Sequence, residues 1–374
     1  MKNKYTTSDI AKQLNLSRAT VSKALNNHPS IPERTRKLVL ETAESLGYRH
    51  VRRNSVPVDF DYNSQVSELE VGYTKTVTFM IKSSINIFQE EFWSEVLRGV
   101  EESARQNNYQ LVLKFGTDED LHDARLPDTI TSHSADGIIL AGITSKRYAE
   151  AVTESGIPVV LIDGYYDSGT CGILCDSVLS ENEQAVRNLT CHLIDLGHKE
   201  IGFIGDISIS RSFMERYLGY RHAMVDADLP INKNYCILEP SLSNYYSIQE
   251  FAGRLDAMNP LPTAFVCAND LVALQIIRYL ESVGLRVPTD LSVTGFDLMG
   301  KHTDSTPTLS RLTTAEVKAD RIGARSFEQL LWRMKHADRP YEFVRLISRI
   351  VIGESTAVPK PTSKTRRAAV KNEG

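Results

Sequence analysis

The amino-acid sequence predicts an all-α domain at the N-terminus joined to a larger, two-lobed α/β domain with parallel sheets. Residues 7–46 carry short helical patterns with apolar residues at helical spacing, which predict the first domain. From Thr76 onward, short apolar runs alternate with longer amphipathic ones, a pattern typical of βαβ units. The chain of 374 residues is long enough for two or three domains, each with its own core.

The composition is that of an ordinary globular protein, because 41% of the residues are hydrophobic and 24% are charged. No apolar run approaches the roughly 18 residues that a membrane span needs, so we expect no membrane partner. The polar start, Met1 to Ile10, predicts that no signal peptide is present. Five cysteines, an odd number in a long chain, predict reduced thiols and a cytoplasmic location.

The net charge of −4 hides an asymmetry between the two ends of the chain. Residues 1–53 carry a net charge of +7, so the remainder carries −11. A compact basic segment on an acidic body predicts a polyanionic partner, with nucleic acid the first candidate. A solvated basic surface without a partner is the alternative interpretation.

The basic segment begins with two short helical patterns. Residues 7–14 start with helix-capping types and place apolar residues on one face. Asn15 interrupts this pattern, and Ser17 can cap a second helix over residues 18–25. So tight a turn between two short helices matches a helix-turn-helix motif. The second helix presents short polar and basic side chains near its N-terminus, which suit base edges and phosphates.

A third helix is predicted to complete this domain. Ser30 and Glu33 match a capping box, Pro32 lies in the first turn, and Gly47 ends the helix. The residues of this helix predicted to close a three-helix core are Leu38, Val39, Thr42, Ala43 and Leu46.

The run from Thr7 to Asn26 (TSDIAKQLNLSRATVSKALN), together with Thr35-Arg36 and Leu46-Gly-Tyr48, resembles the headpiece of the lactose-repressor (LacI/GalR) family. The resemblance implies a helix-turn-helix headpiece that reads double-stranded operator DNA, with Arg18 and Ala19 at the base-reading positions. A small, purely structural three-helix domain is the alternative. The candidate DNA-binding residues are Thr7, Ser17, Arg18, Ala19, Thr20, Ser22, Lys23, Asn26, His28, Thr35 and Arg52.

The segment after the headpiece departs from the family pattern. In the family, a hinge helix follows, and its leucine wedges into the minor groove of the DNA. Here Pro57 stands about where that leucine belongs, and proline does not fit inside a helix. We therefore expect the headpiece to span residues 1–53, and the linker, residues 54–75, to be flexible or irregular.

The body, residues 76–358, contains too many strand-like runs for one lobe and is predicted to form two. The runs predicted to be strands are Val77–Ile81, Gln110–Phe115, Gly137–Ala141, Pro158–Ile162, Ile201–Ile204, Cys236–Leu238, Ala264–Ala268 and Leu291–Phe296. Between the first two runs, apolar residues at four-residue spacing predict a helix that packs on a sheet.

Polar residues follow several of these runs, at the point where each strand ends. Asp163, Asp206, Asn269-Asp270 and Asp297 occupy such positions. Ligands of parallel sheets bind outside the carboxyl ends of the strands, so these residues predict a cleft for a polyhydroxylated ligand. Taken singly, each is more often a helix cap or turn former.

The family resemblance continues through the body, in Leu196–Gly205, Arg216–Tyr220, Pro262–Asp270 and Gly284–Asp297. It implies an effector domain similar to periplasmic sugar-binding proteins. The candidate effector-binding residues are Phe88, Phe92, Trp93, Asp163, Asp176, Arg216, Asn269 and Asp297. The aromatic members can equally be core residues.

Arg216 is the most specific of these candidates. We expect it just before a helix, after a polar loop over Ser208–Glu215. Its planar fork could bridge two hydroxyls or a carboxylate.

The resemblance therefore implies a sequence-specific DNA-binding transcriptional regulator, most simply a repressor, under allosteric control by a small effector. A sugar is the favoured effector, while nucleobases and phosphorylated sugars stay open. A transport receptor or a sugar-processing enzyme of the same α/β fold is the alternative.

The resemblance implies a homodimer. The basic tail, residues 359–374, lacks the leucine heptads that make some members of the family tetramers, so we expect dimers, and we expect this tail to be disordered. We expect no cofactor. Cys171, Cys175 and His192 suggest a metal site only weakly, because no second ligand pair follows them.

Overall fold

The computed structural model describes residues 7–25, 31–46, 74–83, 90–143, 145–165, 175–208, 210–239, 248–299 and 311–360. Several expectations lie outside these ranges. They concern the linker up to residue 73, the tail from residue 361, the helix signals at Ser30 and Gly47, and the candidate site residues Asn26, His28, Arg52 and Phe88.

The described residues of the N-terminal domain form three helices: α1 (Thr7–Gln13), α2 (Arg18–Leu25) and α3 (Glu33–Ser45). Between α1 and α2, Asn15 has a φ of 52°, in the left-handed region that asparagine tolerates better than most residues. The N–H of Leu16 then donates to the carbonyl of Ala11 at 2.9 Å, which closes the tight turn. The helix-turn-helix prediction is confirmed.

The core of this domain is formed by buried residues of all three helices, with Ile10, Val21 and Val39 fully buried. The prediction that Leu38 belongs to the core is wrong, because Leu38 is 49% exposed. Val39 and Ala43 define the buried face of α3, and Leu38 lies one residue round the helix from it.

The body alternates strands and helices. Its strands are β1 (Thr76–Lys82), β2 (Gln110–Gly116), β3 (Gly137–Ile143), β4 (Val159–Gly164), β5 (Asp176–Ser180), β6 (Ile201–Ile204), β7 (Ala264–Cys267), β8 (Ser292–Thr294), β9 (Thr314–Glu316), β10 (Phe343–Leu346) and β11 (Arg349–Val351). Its helices are α4 (Glu91–Gln106), α5 (Asp118–Asp123), α6 (Asp128–Thr131), α7 (Lys146–Glu154), α8 (Glu183–Asp195), α9 (Arg211–Asp226), α10 (Ile248–Ala257), α11 (Asp270–Ser282) and α12 (Ala319–Lys335). None of these described helices is long and apolar enough to cross a membrane.

The strands form two lobes, as predicted. The first lobe has a six-stranded parallel sheet in the order β10-β5-β4-β3-β1-β2. The second lobe has a three-stranded parallel sheet in the order β6-β7-β8, and the antiparallel pair β9-β11 lies beside it. Within the described ranges, the chain passes between the lobes after β5, after β9 and after β10.

Helix α12 returns to the first lobe and packs closely against α4. A Cβ atom on Gly99 would collide with the carbonyl of Asp320, and one on Gly323 would collide with the carbonyl of Val96. The two glycines therefore let the helix backbones touch. This contact fixes the faces of α4 and α12 that point toward the second lobe.

All of the predicted runs are strands except Cys236–Leu238. In that run Ile237 makes one bridge to Ile204, beside β6. The sequence analysis missed β5, β9, β10 and β11. Strand β5 is buried throughout although it begins with Asp176-Ser177, because its polar side chains find partners inside the protein.

Candidate functional site

A cavity of about 70 Å³ lies between the two lobes, which is room for several water-sized groups. Residues after β7 and β8 of the second lobe face residues at the ends of β4 and β5 of the first. The cavity thus lies at the carboxyl ends of parallel strands, where open α/β sheets bind ligands. Of the predicted effector-binding residues, the structure brings Phe92, Trp93, Asp163, Arg216, Asn269 and Asp297 to this cavity.

Arg216 lies inside helix α9 and not before it. The helix begins at Arg211, and Ser210 caps it by accepting a hydrogen bond from the N–H of Phe213 at 3.4 Å. The predicted loop over Ser208–Glu215 is therefore wrong in its second half. The serine that precedes Arg211 was the sequence signal for the earlier start.

The side chain of Arg216 is held on several sides. Its Nε donates to Oδ1 of Asn182 at 3.0 Å, its Nη1 to the carbonyl of Ala268 at 2.8 Å, and its Nη2 to Oδ1 of Asp297 at 3.4 Å. The guanidinium also lies 3.8 Å from the ring centroid of Phe296, in cation–π contact. Since the residue is 4% exposed, its position is fixed by the protein.

Behind Arg216, a buried polar network joins the two lobes. Nδ2 of Asn182 donates to Glu215 at 3.2 Å, and Glu215 also accepts from Nε of Arg211 and Nη2 of Arg345, both at 2.8 Å. Arg345 belongs to β10 of the first lobe, whereas Glu215 belongs to α9 of the second. The sequence analysis proposed none of Asn182, Glu215 and Arg345 as a site residue.

Asp163 connects the lobes at the cavity itself. It is the penultimate residue of β4, with a φ of 41°. Its carboxylate accepts from the N–H of Ser212 at 3.0 Å and from the Ser212 hydroxyl at 2.7 Å. Burial raises the pKa of Asp163, and the two bonds from Ser212 in the first turn of α9 oppose that shift.

Two more carboxyls lie deep in the second lobe. Burial raises the pKa of Asp297 to about 6, although the charge of Arg216 opposes the shift. Burial also raises the pKa of Asp270 to about 8, with the neighbouring Asp297 charge adding to the effect. Asp270 accepts from the N–H of Met299 at 2.8 Å and from the hydroxyl of Thr314 at 2.7 Å. Asp270 therefore holds the loop after β8 in place, while Asp297 faces the cavity.

Asn269 combines the two roles considered for it. Its Oδ1 accepts from the N–H of Val272 at 2.9 Å and so caps helix α11. The residue also lines the cavity. The cap fixes the side chain at the cavity edge.

The first lobe supplies aromatic surface. Phe92 and Trp93 lie in the first turn of α4, and their rings meet edge to face with centroids 5.0 Å apart. Both residues line the cavity, although Trp93 is only 8% exposed. They therefore act as core residues and as cavity wall together.

The placement of Asp176 with the effector-binding residues is wrong. Asp176 is the first residue of β5 and is completely buried. Its carboxylate pairs with Nε of Arg333 at 2.9 Å and Nη2 of Arg333 at 2.7 Å, and it accepts from Gln329 at 2.9 Å. It stands at the amino end of a parallel strand, away from the edge that carries the cavity.

In the headpiece, Ser17 caps α2 by accepting from the N–H of Thr20 at 3.0 Å. Ser17 and Arg18 are exposed, and Thr20 and Thr35 are partly exposed. Thr7, Ala19, Ser22 and Lys23 lie on α1 and α2, with side chains outside the described part of the structure. The described residues contain no group of three or more potential metal ligands.

Comparison with known proteins identifies relatives along almost the whole chain. Residues 6–50 match the family model of bacterial regulatory proteins of the lacI family, and residues 190–356 match that of the periplasmic binding protein-like domain. Catabolite control protein A of Priestia megaterium is 30% identical over 350 residues, which cover 93% of this chain and 98% of that protein. The probable HTH-type transcriptional repressor ExuR of Bacillus subtilis (strain 168) is 30% identical over 331 residues, covering 87% and 91%.

Among solved structures, a transcriptional regulator CelR–cellobiose complex matches with a TM-score of 0.65 and 22% identity. The match covers 94% of this chain and 100% of that one. The fold is thus a helix-turn-helix headpiece joined to a body of the periplasmic-binding-protein type. The chain belongs to the LacI family of bacterial regulatory proteins and is a DNA-binding transcriptional regulator rather than an enzyme.

Proposed function

We propose that this chain is a repressor whose affinity for operator DNA is set by a sugar bound in the interlobe cavity. The observation that carries the proposal is the convergence of Asp163, Arg216, Asn269 and Asp297 on one cavity. Carboxylate, amide and guanidinium groups offer the acceptors and donors that several sugar hydroxyls need at once. The aromatic wall opposite offers an apolar surface to the C–H face of a sugar ring.

The relatives support this choice. The CelR neighbour is described in complex with cellobiose, and another neighbour, a regulator from Enterococcus faecium, is described with bound ribose. A transport receptor or a sugar-processing enzyme is not favoured, because the family regulates transcription.

The proposed mechanism is a population shift between lobe arrangements. A ligand that contacts both lobes favours the arrangement in which all of its contacts form together. The chain is proposed to act in the cytoplasm as a homodimer, with one headpiece on each half of a near-palindromic operator. Arg18 and its neighbours on α2 are the proposed base-reading residues.

A thermal-shift screen of the full chain against neutral sugars, sugar phosphates and nucleobases tests the effector part of this proposal. A ligand at about 100 times its dissociation constant stabilises the folded state by about 2.7 kcal/mol. We expect a sugar to do so. Asn269→Asp should weaken the response, because aspartate keeps the helix cap but removes the amide donor.

Arg187→Ala is the matched control. Arg187 pairs with Asp226 at 2.8 Å on the surface of the second lobe, away from the cavity. This variant should respond to the ligand as the unaltered chain does. Stabilisation by a nucleobase and by no sugar would overturn the choice of a sugar.

A further inference from the structure

Glu215 of helix α9 is a buried acid that bonds to one arginine of each lobe. The residue is 3% exposed. Within the second lobe its Oε1 accepts from Nε of Arg211 at 2.8 Å. From the first lobe, Arg345 of β10 donates to Oε1 through Nη2 at 2.8 Å and to Oε2 through Nη1 at 3.2 Å. The carboxylate therefore ties the two lobes together by charge.

The bond between Glu215 and Arg345 restrains an angle as well as a distance. Both prongs of the guanidinium meet both oxygens of the carboxylate, which is the bidentate geometry with the highest directional specificity. Burial of Glu215 reduces competition from water, so charge-assisted bonds to it are stronger than they would be on the surface. A rotation of β10 relative to α9 would break at least one of the two bonds.

The pair lies where the chain crosses between the lobes. Arg345 is the penultimate residue of β10, and Asn182, which donates to Glu215 at 3.2 Å, follows β5 and precedes α8. Both positions adjoin crossovers, and hinges of this kind consist of a few residues at the ends of elements. A small displacement at these residues therefore becomes a large one at the far edges of the lobes.

The first turn of α9 contacts the first lobe at two further points. The guanidinium of Arg211 lies 4.6 Å from the ring centroid of Phe343 in β10, in cation–π contact. The N–H and hydroxyl of Ser212 both donate to Asp163 of β4. All of these contacts form between groups of the chain itself, so they need no ligand.

We infer that Glu215 and Arg345 form an interlobe latch, a bidentate ion pair beside the hinge that holds the lobes in the present arrangement. The latch acts on the equilibrium between lobe arrangements that any effector would have to shift. Its effect on operator affinity rests on the proposed function, whereas its effect on the lobes does not.

The variant Arg345→Met removes the latch and leaves Glu215 paired with Arg211 and Asn182. The Ser212 amide reports the result, because amides in the first turn of a helix have no partner within the helix and this one donates to Asp163 in the other lobe. Hydrogen exchange of the full chain, resolved to single residues by fragmentation in the mass spectrometer, measures its protection. We expect exchange at Ser212 to rise roughly fivefold or more, with exchange in the central strands β3 and β7 unchanged.

Arg349→Met is the matched control. Arg349 is four residues further along and pairs with Glu316 at 3.1 Å, but both residues belong to the second lobe. Exchange at Ser212 should stay as it is in the unaltered chain. Unchanged exchange in Arg345→Met overturns the inference. An equal rise in the control, or a uniform rise through β3 and β7, overturns it as well, because the pair then only stabilises the fold.

Arg345→Lys keeps the positive charge but removes the two-pronged geometry. We expect a rise in exchange at Ser212 between those of the unaltered chain and Arg345→Met, and this variant serves as the test if Arg345→Met does not fold. Exchange in Arg345→Lys equal to that of the unaltered chain overturns the role of the bidentate geometry.

Operator binding separates the latch from the proposed function. The affinity for a DNA site selected from a random pool by the full chain should differ between Arg345→Met and the unaltered chain by roughly threefold or more, without any added ligand. If exchange at Ser212 rises and operator affinity stays the same, the latch stands and the proposed control of DNA binding by lobe arrangement fails.

Discussion

The two walls of the interlobe cavity are built differently. The wall of the second lobe contains the buried polar groups Arg216, Asn269 and Asp297, each held by protein hydrogen bonds or ion pairs, beside the apolar side chains of Phe213, Leu271 and Met299. The wall of the first lobe is mostly apolar, with Asp163 as a carboxylate at its edge; its apolar members are Phe92, Trp93, Ile162, Leu179 and Ile322. Under the proposed function, the second lobe orients the ligand hydroxyls through hydrogen bonds, and the first lobe supplies most of the apolar contact area.

The largest effect is expected from breaking the polar wall with Arg216→Met. The variant leaves the Asp297 carboxyl buried without its cation, which costs about 3–5 kcal/mol of unfolding free energy. Urea denaturation measures this loss. Without the guanidinium the pKa of Asp297 should rise above its present value of about 6, so the loss should be larger at pH 8 than at pH 5.

Arg187→Met is the comparison for this variant. Its ion pair with Asp226 is largely exposed, so the loss should stay within about 1 kcal/mol. A loss for Arg216→Met no larger than this would mean that the polar wall is not held as described.

Asp270→Asn tests the buried carboxyl group that lies behind the polar wall. Because the pKa of Asp270 is raised in the folded state to about 8, its contribution to stability is full at acidic pH and lost as the pH rises toward 8. The variant removes this titration. Between pH 5 and pH 8 the unaltered chain should lose roughly 2–4 kcal/mol relative to the variant. If the free energies of unfolding of the two proteins changed in parallel with pH, this would contradict the raised pKa of Asp270.

Gly323→Ala disturbs the close contact between α12 and α4, the two helices that carry part of the apolar wall. The added Cβ collides with the carbonyl of Val96 and pushes α12 away from α4. Overpacking of this kind costs about 1–3 kcal/mol of unfolding free energy. Gly253→Ala in α10 is the matched control, because a Cβ there meets nothing within 4 Å and should stabilise the helix by up to about 1 kcal/mol. Equal effects of the two substitutions would refute the close helix contact.

Ser212→Ala is expected to have the smallest effect, at the point where the two walls meet. It removes the hydroxyl that donates to Asp163 at 2.7 Å but keeps the backbone N–H that donates to the same carboxylate. The loss should be about 1 kcal/mol of unfolding free energy in thermal denaturation. A loss above that of Gly323→Ala would show that this bond is the main connection between the walls.

The sequence predicted the cavity better than the network behind it. Asp163 lies at the end of β4, and Asn269 and Asp297 follow β7 and β8, so the rule for the carboxyl ends of parallel strands applies to each of them. The prediction that Asp176 contacts the effector was wrong because the polar strand β5 was not recognised in the sequence. Asp176 is the first residue of that strand and therefore lies at the end opposite to the cavity. Glu215 and Arg345 are 130 positions apart in the sequence, and only the folded chain brings them together. No local pattern marks such a pair.

The most direct test of effector control measures operator binding and ligand binding in the same experiment. A DNA site selected from a random pool by the full chain is labelled, and its dissociation constant is measured with and without the sugar found in the thermal-shift screen. We expect the sugar to change the operator affinity at least fivefold in the unaltered chain and to change it less in Asn269→Asp at the same sugar concentration. An operator affinity that does not change when the sugar is added, or that changes equally in both proteins, would contradict control through the interlobe cavity.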